Sequence, residues 1–502
     1  MPRQAAELTP LQRQSVLTVL KSPRLLKVEV LAGLVVALAL IPEAIAFSVI
    51  AGVDPQVALF AAFTMAITTS VLGGRPAMVS AATGAVALVV APLVASHGMS
   101  YFLGAVILAG VLQVVFAAVG IARLMRFIPR QVMVGFVNAL AILVFGSQVP
   151  ELLGVPWLVY PLTAVGLLIV FGLPRLTTVI PAPLVAIVVL TLVTVAAGIA
   201  VPTVGDKGEL PSSLPLLALP QLPLTWDALM VILPFSAAMA IVGLLESLMT
   251  AKLVDDITDT PSSKTREGFA QGVANVVTGF FGGMGGCAMI GQTMINVKVS
   301  GARSRVSTFM AGTFLLLLML VLGDVVALIP MAALVAIMMY VSIATFDWHS
   351  IKPSTLRRMP KSETAVMLVT VIGTVATHNL AIGVVVGVLT AMVLFARRVA
   401  HLVTVQRSIV SDEGQEEARY VVQGELFFAS SNDLYTQFDY AGDPAAVRID
   451  LSQSHLWDAS TIAALDAIQE KYRQRGKHAE VVGLNEASAS MRERLSGRFG
   501  AG

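Results

Sequence analysis

Two carboxylates lie where a charge is costly. Glu43 sits in the apolar run LALIPEAIAFSVI and Glu246 in AIVGLLESLMT. An acid inside a membrane-thickness apolar segment carries a penalty of several kcal/mol when ionised and marks a function by default. Low-dielectric surroundings favour the neutral form of such a carboxyl, so each is a candidate for taking up and releasing a proton. Two further segments break the apolar pattern. PAMVSAATGAVALVVAP at 76–92 is rich in Ser, Thr and Gly near its start, and MGGCAMIGQTMINV at 284–297 follows a glycine run. As half-helices, each would aim unpaired N–H groups and a positive dipole end into the protein. The donors would be the backbone around Thr83, Gly84 and Ala85 and around Gly291, Gln292 and Thr293, with the side chains of Thr83, Gln292 and Thr293 added. Neither segment contains Lys or Arg. Helix ends of this kind bind anions without a basic side chain. A carboxyl beside them repels an anion when ionised and admits it when protonated, which implies proton–anion symport.

Positioning such groups takes a membrane domain, and the composition supplies one. The 502 residues are 56% hydrophobic and 13% charged, against roughly a quarter charged in globular proteins. Charge is also uneven, with 39 of the 64 Asp, Glu, Lys and Arg residues in 1–400 and 25 in the last 102. A uniform soluble enzyme, a disordered chain and a nucleic-acid binder are excluded. Cys287 is the only cysteine and the six histidines are scattered, so neither a disulfide nor a metal site is expected, and no cofactor. The first 27 residues have no signal-peptide core.

Apolar windows of spanning length centre on 28–50, 55–73, 76–92, 101–122, 131–149, 157–173, 179–200, 227–250, 267–282, 284–297, 306–322, 325–343, 362–378 and 380–396. With fourteen spans, the even connections and both ends collect the basic residues, from Arg3, Arg13, Lys21, Arg24 and Lys27 through Arg75, Arg123, Arg126, Arg130 and Arg175 to Arg397 and Arg398. The odd connections hold Asp54, Glu151, Asp206, Glu209 and Asp324 with the single base Lys207. Basic loops stay inside, so both termini are expected in the cytoplasm. The expected organisation is a cytoplasmic segment 1–27, a transmembrane transport domain 28–400 and a cytoplasmic domain 401–502.

The third and tenth windows are too short to cross as helices, and they occupy equivalent places in two seven-span halves of opposite orientation. Paired broken segments of this kind point to a transporter site. Glu43 and Glu246, in the first and eighth windows, are equivalent too. Plainer readings exist: re-entrant loops or tight packing for the short segments, pairing of Glu246 with Lys252, and Glu43 satisfying the break at Pro42. Phe47, one turn from Glu43, reads either as core packing or as a pocket wall.

After about Val403 the pattern changes. Tyr420–Phe428, Val447–Leu451 and Ala479–Leu484 read as strands, and Ser460–Arg475 and Glu486–Leu495 as helices. This is a small α/β domain without a phosphate loop or a nucleophile–base pair. Ser460, in Asp458-Ala459-Ser460-Thr461, falls at a helix start where Asp and Ser are ordinary caps.

With these residues in view, the chain resembles the sulfate permease (SulP) family of anion transporters. Ile41–Phe60 (IPEAIAFSVIAGVDPQVALF) is similar to the family's first-span signature and Arg266–Asn296 (REGFAQGVANVVTGFFGGMGGCAMIGQTMIN) to its ninth- and tenth-span signature. The tail resembles a STAS domain over Ile449–Leu465 and Arg475–Leu484. The resemblance implies an α-helical membrane protein of two inverted seven-span repeats, split into core and gate domains, with an elevator-like movement, homodimers and no enzymatic activity. It implies a substrate pocket at Glu43 and Phe47, at Thr83, Gly84, Ala85 and Val86, at Glu246, and at Gly291, Gln292 and Thr293. It also makes Ser460 a candidate regulatory site and the STAS domain a candidate binder of a cytoplasmic protein. Some relatives have Arg where this chain has Gln292, and many have Gln where it has Glu43. Losing a fixed cation and gaining an acid favours proton-linked uptake of a dicarboxylate, with bicarbonate or sulfate next, across the cytoplasmic membrane. A nucleobase–proton symporter of the same architecture and an anion channel or exchanger are the rival readings.

Overall fold

The computed structural model describes residues 15–120, 128–176, 181–211, 213–217, 219–223, 225–400, 403–412 and 415–496. Arg3, Arg13, Arg123 and Arg126, four of the bases expected to mark the cytoplasmic side, lie outside the described residues. The chain divides into two compact units, residues 1–388 and 389–502. In the first, α1 (Val16–Lys21) precedes α2 (Pro23–Ala51), α3 (Pro55–Leu72), the strand β1 (Ser80–Ala81), α4 (Gly84–Val119), α5 (Arg130–Gly146), α6 (Val159–Leu176) and α7 (Ala182–Ala196). Then come α8 (Trp226–Thr258), α9 (Lys264–Phe280), the strand β2 (Cys287–Ala288) and α10 (Ile290–Met294), which runs into a π-helical turn, Ile295–Val299. They are followed by α11 (Arg305–Ala327), α12 (Met331–Thr345), α13 (Pro353–Arg358), α14 (Lys361–Thr377) and α15 (Leu380–Ala400), which crosses the division.

Among the described residues, eight helices are long and apolar enough to cross a membrane. Each of the fourteen expected windows contains helix. One boundary differs. The third segment is not closed by Pro92: its helix begins at Gly84, passes through Pro92 and breaks at Gly98 (φ 75°, ψ −172°). Proline removes one backbone donor, and a helix packed among neighbours tolerates that loss.

The two halves repeat each other's packing. α2 lies on α11 as α8 lies on α4, and α3 lies on α11 as α9 lies on α4. In a second group, α5 packs on α14 as α12 packs on α6. At the centre β1 pairs antiparallel with β2, Ser80 opposite Ala288 and Ala81 opposite Cys287. The equivalent strands therefore run in opposite directions, as inverted repeats require. Gly286 permits the approach, because a Cβ there would collide with the Ala81 carbonyl.

Non-helical backbone at this depth needs partners for its polar groups, and α9 provides them. Glu267, Gln271, Asn275 and Thr278 are all buried and fall at spacings of one helical face. Glu267 Oε2 accepts the N–H groups of Gly74 (2.7 Å) and Arg75 (2.9 Å). Gln271 Nε2 donates to Ser80 Oγ (2.7 Å) and to Glu267 Oε1 (2.8 Å). Asn275 Oδ1 accepts from Gly286 N (2.8 Å), while its Nδ2 donates to Gly286 O (3.1 Å) and Gln113 Oε1 (2.8 Å). Thr278 Oγ1 meets Thr64 Oγ1 at 2.7 Å. One stripe of polar side chains thus holds the approaches to both breaks.

The second unit contains β3 (Thr404–Asp412), β4 (Gln415–Leu426), α16 (Phe428–Leu434), β5 (Ala446–Leu456), α17 (Ala459–Arg473), β6 (His478–Val482) and α18 (Glu486–Leu495). Its sheet has the order β3-β4-β5-β6, antiparallel between β3 and β4 and parallel thereafter. Tyr420, Ile449, Leu451, Ile462, Leu465 and Tyr472 form its core. The strand expected over 420–428 stops at Leu426. Phe428 opens α16, its N–H donating to Asp458 Oδ2 at 2.6 Å. Asp458 also caps α17, accepting from Thr461 N at 3.0 Å. Ser460 is therefore not the cap; it lies in the first turn of α17, exposed. Arg419 and the Ser452 hydroxyl and N–H stabilise the Asp450 carboxylate on β5, Ser452 contributing most, and hold its pKa down at about 2.

Replacing Asn275 by Ala leaves the buried N–H and C=O of Gly286 without this partner. Each lost bond to a buried group costs about 1–3 kcal/mol, so Asn275→Ala should lower the thermal midpoint of the purified protein well beyond the change for Thr313→Val at a half-buried helix position. Equal midpoints for the two variants would contradict the role given to the stripe.

Candidate functional site

The two breaks create the site. After β1 the chain turns into α4 at Thr83, whose extended backbone (φ −131°, ψ 151°) and side-chain oxygen cap the helix by accepting from Val86 N. After β2 it turns into α10 at Met289 (φ −92°, ψ 123°). Cross-links hold the two starts together. Met289 N donates to Val79 O (2.9 Å), Val79 N to Thr293 Oγ1 (3.0 Å), and Ala288 N to Ser247 Oγ (3.0 Å) on α8. Two helix N-termini, entered from opposite directions, thus face one cavity of about 1020 Å³.

One wall of that cavity is polar and comes from the first helix group: Glu43 and Phe47 on α2, Thr83 and Gly84 at the start of α4, Glu246 on α8, and Gly291 and Gln292 on α10. The facing wall is mostly apolar and comes from the second group, including Phe136, Leu140 and Val144 on α5 and Met338 and Val341 on α12, with Tyr340, Ser342 and Thr345 of α12 also on it. Among the described residues that line it, none is Lys, Arg or His. The cavity extends to the end of the bundle where α2 begins (Val28, Leu31) and α6 and α12 finish (Pro174, Thr345).

The carboxylates separate into two classes. Glu29 and Glu267 are engaged by backbone. Glu29 accepts the N–H groups of Arg303 (2.7 Å), Ser304 (3.0 Å) and Ser307 (3.1 Å) at the start of α11, and Glu267 those of Gly74 and Arg75. Both lie in apolar windows, so Glu43 and Glu246 are not the only acids there. What distinguishes the latter pair is that each is held by a side-chain donor without backbone N–H groups, among the described residues, and lines the cavity. Gln292 Nε2 donates to Glu43 Oε1 at 2.7 Å, and Cys287 Sγ to Glu246 Oε2 at 3.0 Å. Among the described residues, Gln292 Oε1 is a buried acceptor without a hydrogen-bond partner. Lys252 pairs with Asp256 (3.6 Å), so the Lys252 partnership weighed for Glu246 is not formed.

Of the residues singled out in the sequence, Glu43, Phe47, Thr83, Gly84, Glu246, Gly291 and Gln292 line the cavity. Ala85, Val86 and Thr293 are buried behind it. The Thr293 hydroxyl braces Val79 instead of facing the cavity, so it is not one of the exposed donors expected. The Phe47 ring packs over Gly84, where a Cβ would come within 2.9 Å of Cε1. Cys287 and Ser247 were not legible as site residues. The apolar wall carries no signal that separates it from any other apolar helix face.

At the opposite end of the first unit a second cavity of about 680 Å³ is lined by Asp54, Gln56, Phe60, Glu151, Lys207 and their neighbours. Here the segment after α7 ties the two helix groups together. Val204 N donates to Ile329 O and Met331 N to Pro202 O, both at 2.9 Å, beside α12. Lys207 pairs with Glu151 (2.6 Å). Across to the first group, Gln56 N donates to Glu209 O (3.1 Å), Gln56 Nε2 to Glu209 Oε2 (3.3 Å) and Glu209 N to Asp54 Oδ1 (3.3 Å).

Comparison with known proteins gives this arrangement a context. The model of the sulfate permease family matches residues 26–165 and 158–370, and that of the STAS domain residues 411–496. YbaR of Bacillus subtilis, a candidate sulfate transporter by name, is 51% identical over 93% of this chain and 96% of its own. The bicarbonate transporter BicA of Picosynechococcus is 25% identical over 93% of this chain and 90% of its own. Among solved structures, murine Slc26a9, an anion transporter in the inward-facing state, superposes with a TM-score of 0.79 at 18% identity, over 94% of this chain and 88% of that one. The transmembrane domain of a cyanobacterial BicA gives 0.63 at 24% identity, over 74% and 98%. At these identities the two structures speak for the fold.

A Cβ added at Gly291 meets nothing within 4 Å, and the residue is exposed to the cavity. Gly291→Phe should therefore fill the space beside Gln292 with little change in the ligand-free thermal midpoint, while reducing anion binding by at least about tenfold, roughly 1.4 kcal/mol. Calorimetric titration would read both; undiminished binding would remove this wall from the site.

Proposed function

The chain belongs to the sulfate permease family, and on that premise we propose that it is a proton-coupled symporter of small anions. The observation that carries this reading is the pairing of Glu43 and Glu246, each held by a side-chain donor at a cavity that no described cation lines. With both carboxyls ionised, an anion approaching the starts of α4 and α10 meets like charge. With a proton on either, the helix ends and the Gln292 and Thr83 side chains act on the anion unopposed. Binding of the anion and binding of the proton therefore favour each other, which is the thermodynamic content of coupling.

The names of the relatives point to sulfate and bicarbonate. Two separate carboxyl groups, both protonated, would also offer two donors to the two ends of a dicarboxylate, and we place this class first. The polar wall belongs to one helix group and the mostly apolar wall to the other, so at the cavity the first can slide along the second, while the Asp54, Gln56 and Glu209 bonds at the opposite end would have to open. That supports an elevator-like movement of a core (α2–α4, α8–α11) against a gate (α5–α7, α12–α14). The basic connections support a cytoplasmic place for the ends of α2 and α6 that border the cavity, with Lys27 and Arg175, and in this reading the conformation faces inward with both termini cytoplasmic. The proposed transport domain covers 28–400 and the STAS domain 401–502, the latter a docking and regulatory module with Ser460 exposed on α17. The assembly is proposed to be a homodimer in the cell membrane.

In proteoliposomes, an inward proton gradient should accelerate uptake of labelled succinate, bicarbonate or sulfate, whichever is carried. Glu43→Gln and Glu246→Gln should each flatten the pH dependence of that uptake. Wild-type pH profiles in both variants would remove the proton sites.

The segment ending at Glu209 closes the outer side in this reading, and each of its side-chain bonds contributes about 1 kcal/mol. Asp54→Ala with Gln56→Ala should raise the outward-open population about fivefold or more. A cysteine placed at Phe60 in the outer cavity should then react faster with an impermeant thiol reagent from outside. An unchanged labelling rate would show that these bonds do not hold the conformation.

A further inference from the structure

The single cysteine of this chain is buried at the centre of the site rather than at a surface. Cys287 lies on β2, directly opposite Ala81 of β1, and is fully inaccessible. Its sulfur has two partners from different parts of the fold. Thr83 Oγ1, at the cap of α4, is 3.2 Å away, and Glu246 Oε2, on α8, is 3.0 Å away. The order of donors follows from the chemistry of each group. Thr83 Oγ1 accepts from Val86 N, which leaves its own hydrogen for the sulfur. The thiol has one hydrogen and a weakly accepting sulfur, so it accepts from Thr83 and donates to Glu246. With Glu246 ionised, the chain runs Val86 N–H, Thr83 O–H, Cys287 S–H, Glu246 carboxylate.

We propose that Cys287 is a positioning residue for proton-linked transport, its thiol fixing Glu246 Oε2 so that the carboxyl presents its other oxygen to the cavity, and linking the state of that carboxyl to the cap of α4. The inference rests on the symport reading above. It adds that the start of α4 senses Glu246 through a thiol. When Glu246 is ionised, the thiol donates to it and Thr83 is drawn toward sulfur. When Glu246 holds a proton, its oxygens accept less strongly, and the Thr83 hydroxyl becomes freer to turn toward an anion at Gly84.

The other charged groups around Glu246 are few. α4 carries His97 and Tyr101 in its middle and no other ionisable residue. α10 has none, and the π-helical turn after it has only Lys298. On α9, Glu267 is engaged by the N–H groups of Gly74 and Arg75. Across the cavity the remaining acid is Glu43, bonded to Gln292. Among the described residues, the thiol is thus the group bonded to the Glu246 carboxylate, and an alanine there removes that bond.

Because the sequence contains one cysteine, the S–H stretching band in the infrared spectrum of the full-length protein in lipid nanodiscs reports this thiol alone. The band should shift as pH is stepped through the range over which transport changes. It should lose that pH response in Glu246→Gln and keep it in Glu43→Gln. In proteoliposomes, Cys287→Ala should move the pH midpoint of uptake by about half a unit or more, a change of the size one lost hydrogen bond gives a carboxyl, with KM for the anion changing less than kcat. Cys287→Ser, which keeps a donor, should restore the wild-type profile more closely than alanine does. A band that ignores both pH and the Glu246→Gln substitution would overturn the proposal, as would alanine and serine variants with identical pH profiles. A band that follows Glu246 in a protein whose uptake ignores pH would uphold the contact but remove its role in transport, and so would also overturn it. Loss of pH dependence in Glu246→Gln, with a band that never responded, would leave symport standing and reject the thiol.

Discussion

Helices interrupted in the middle of an apolar domain expose N–H and C=O groups that no water reaches, and an unpaired buried group of this kind is costly. The structure resolves that cost on one face of α9. Glu267 takes the two N–H groups before β1, Gln271 takes Ser80 within β1, and Asn275 takes both polar groups of Gly286 before β2. With those groups held, β1 and β2 can pair, α4 and α10 can begin where they do, and their free ends can turn toward one cavity. Everything proposed about ligand binding depends on this stripe, although none of its four residues lines the cavity.

The same accounting separates the acids. Six carboxyls occur in the apolar windows; Asp227 and Glu363 stand in the first turns of α8 and α14, and Glu29, Glu43, Glu246 and Glu267 lie deeper in the fold. Glu29 and Glu267 each receive two or more backbone N–H groups and so serve as a cap and a brace. Glu43 and Glu246 receive Gln292 and Cys287, side chains that can adapt, and they face open volume. In the proposed mechanism it is the carboxyl held by a single side chain at a cavity that exchanges a proton.

Much of this was legible in the residues. Hydropathy located the helices, the Ser/Thr/Gly-rich starts of two short segments located the breaks, and the isolated acids located Glu43 and Glu246. The match between positions in the two halves placed them in one site. Other parts were not legible, for physical reasons. Pro92 reads as a boundary because proline removes a donor, yet the packed helix runs through it to Gly98. Glu29 hid at the edge of its window, where an acid looks like a loop residue. Thr293 appeared to face the site because a local pattern cannot show that Val79, more than two hundred residues earlier, takes its hydroxyl. The α9 stripe did leave a signal, polar residues at one-face spacing in a buried helix, and it is the feature a closer periodicity reading would recover. In the tail, Asp458 and Ser460 look equally able to cap α17, and only the bond from Phe428 N shows why Asp458 does so.

The account stands or falls on whether a proton travels with the anion. The direct measurement is the internal pH of proteoliposomes loaded with a fluorescent pH indicator, started at equal pH on both sides with the membrane potential clamped, and given an inward gradient of the transported anion. The account predicts acidification of the interior that begins with anion entry, scales with it and disappears in the Glu43→Gln/Glu246→Gln double variant. Anion entry at full rate with no change in internal pH would contradict it.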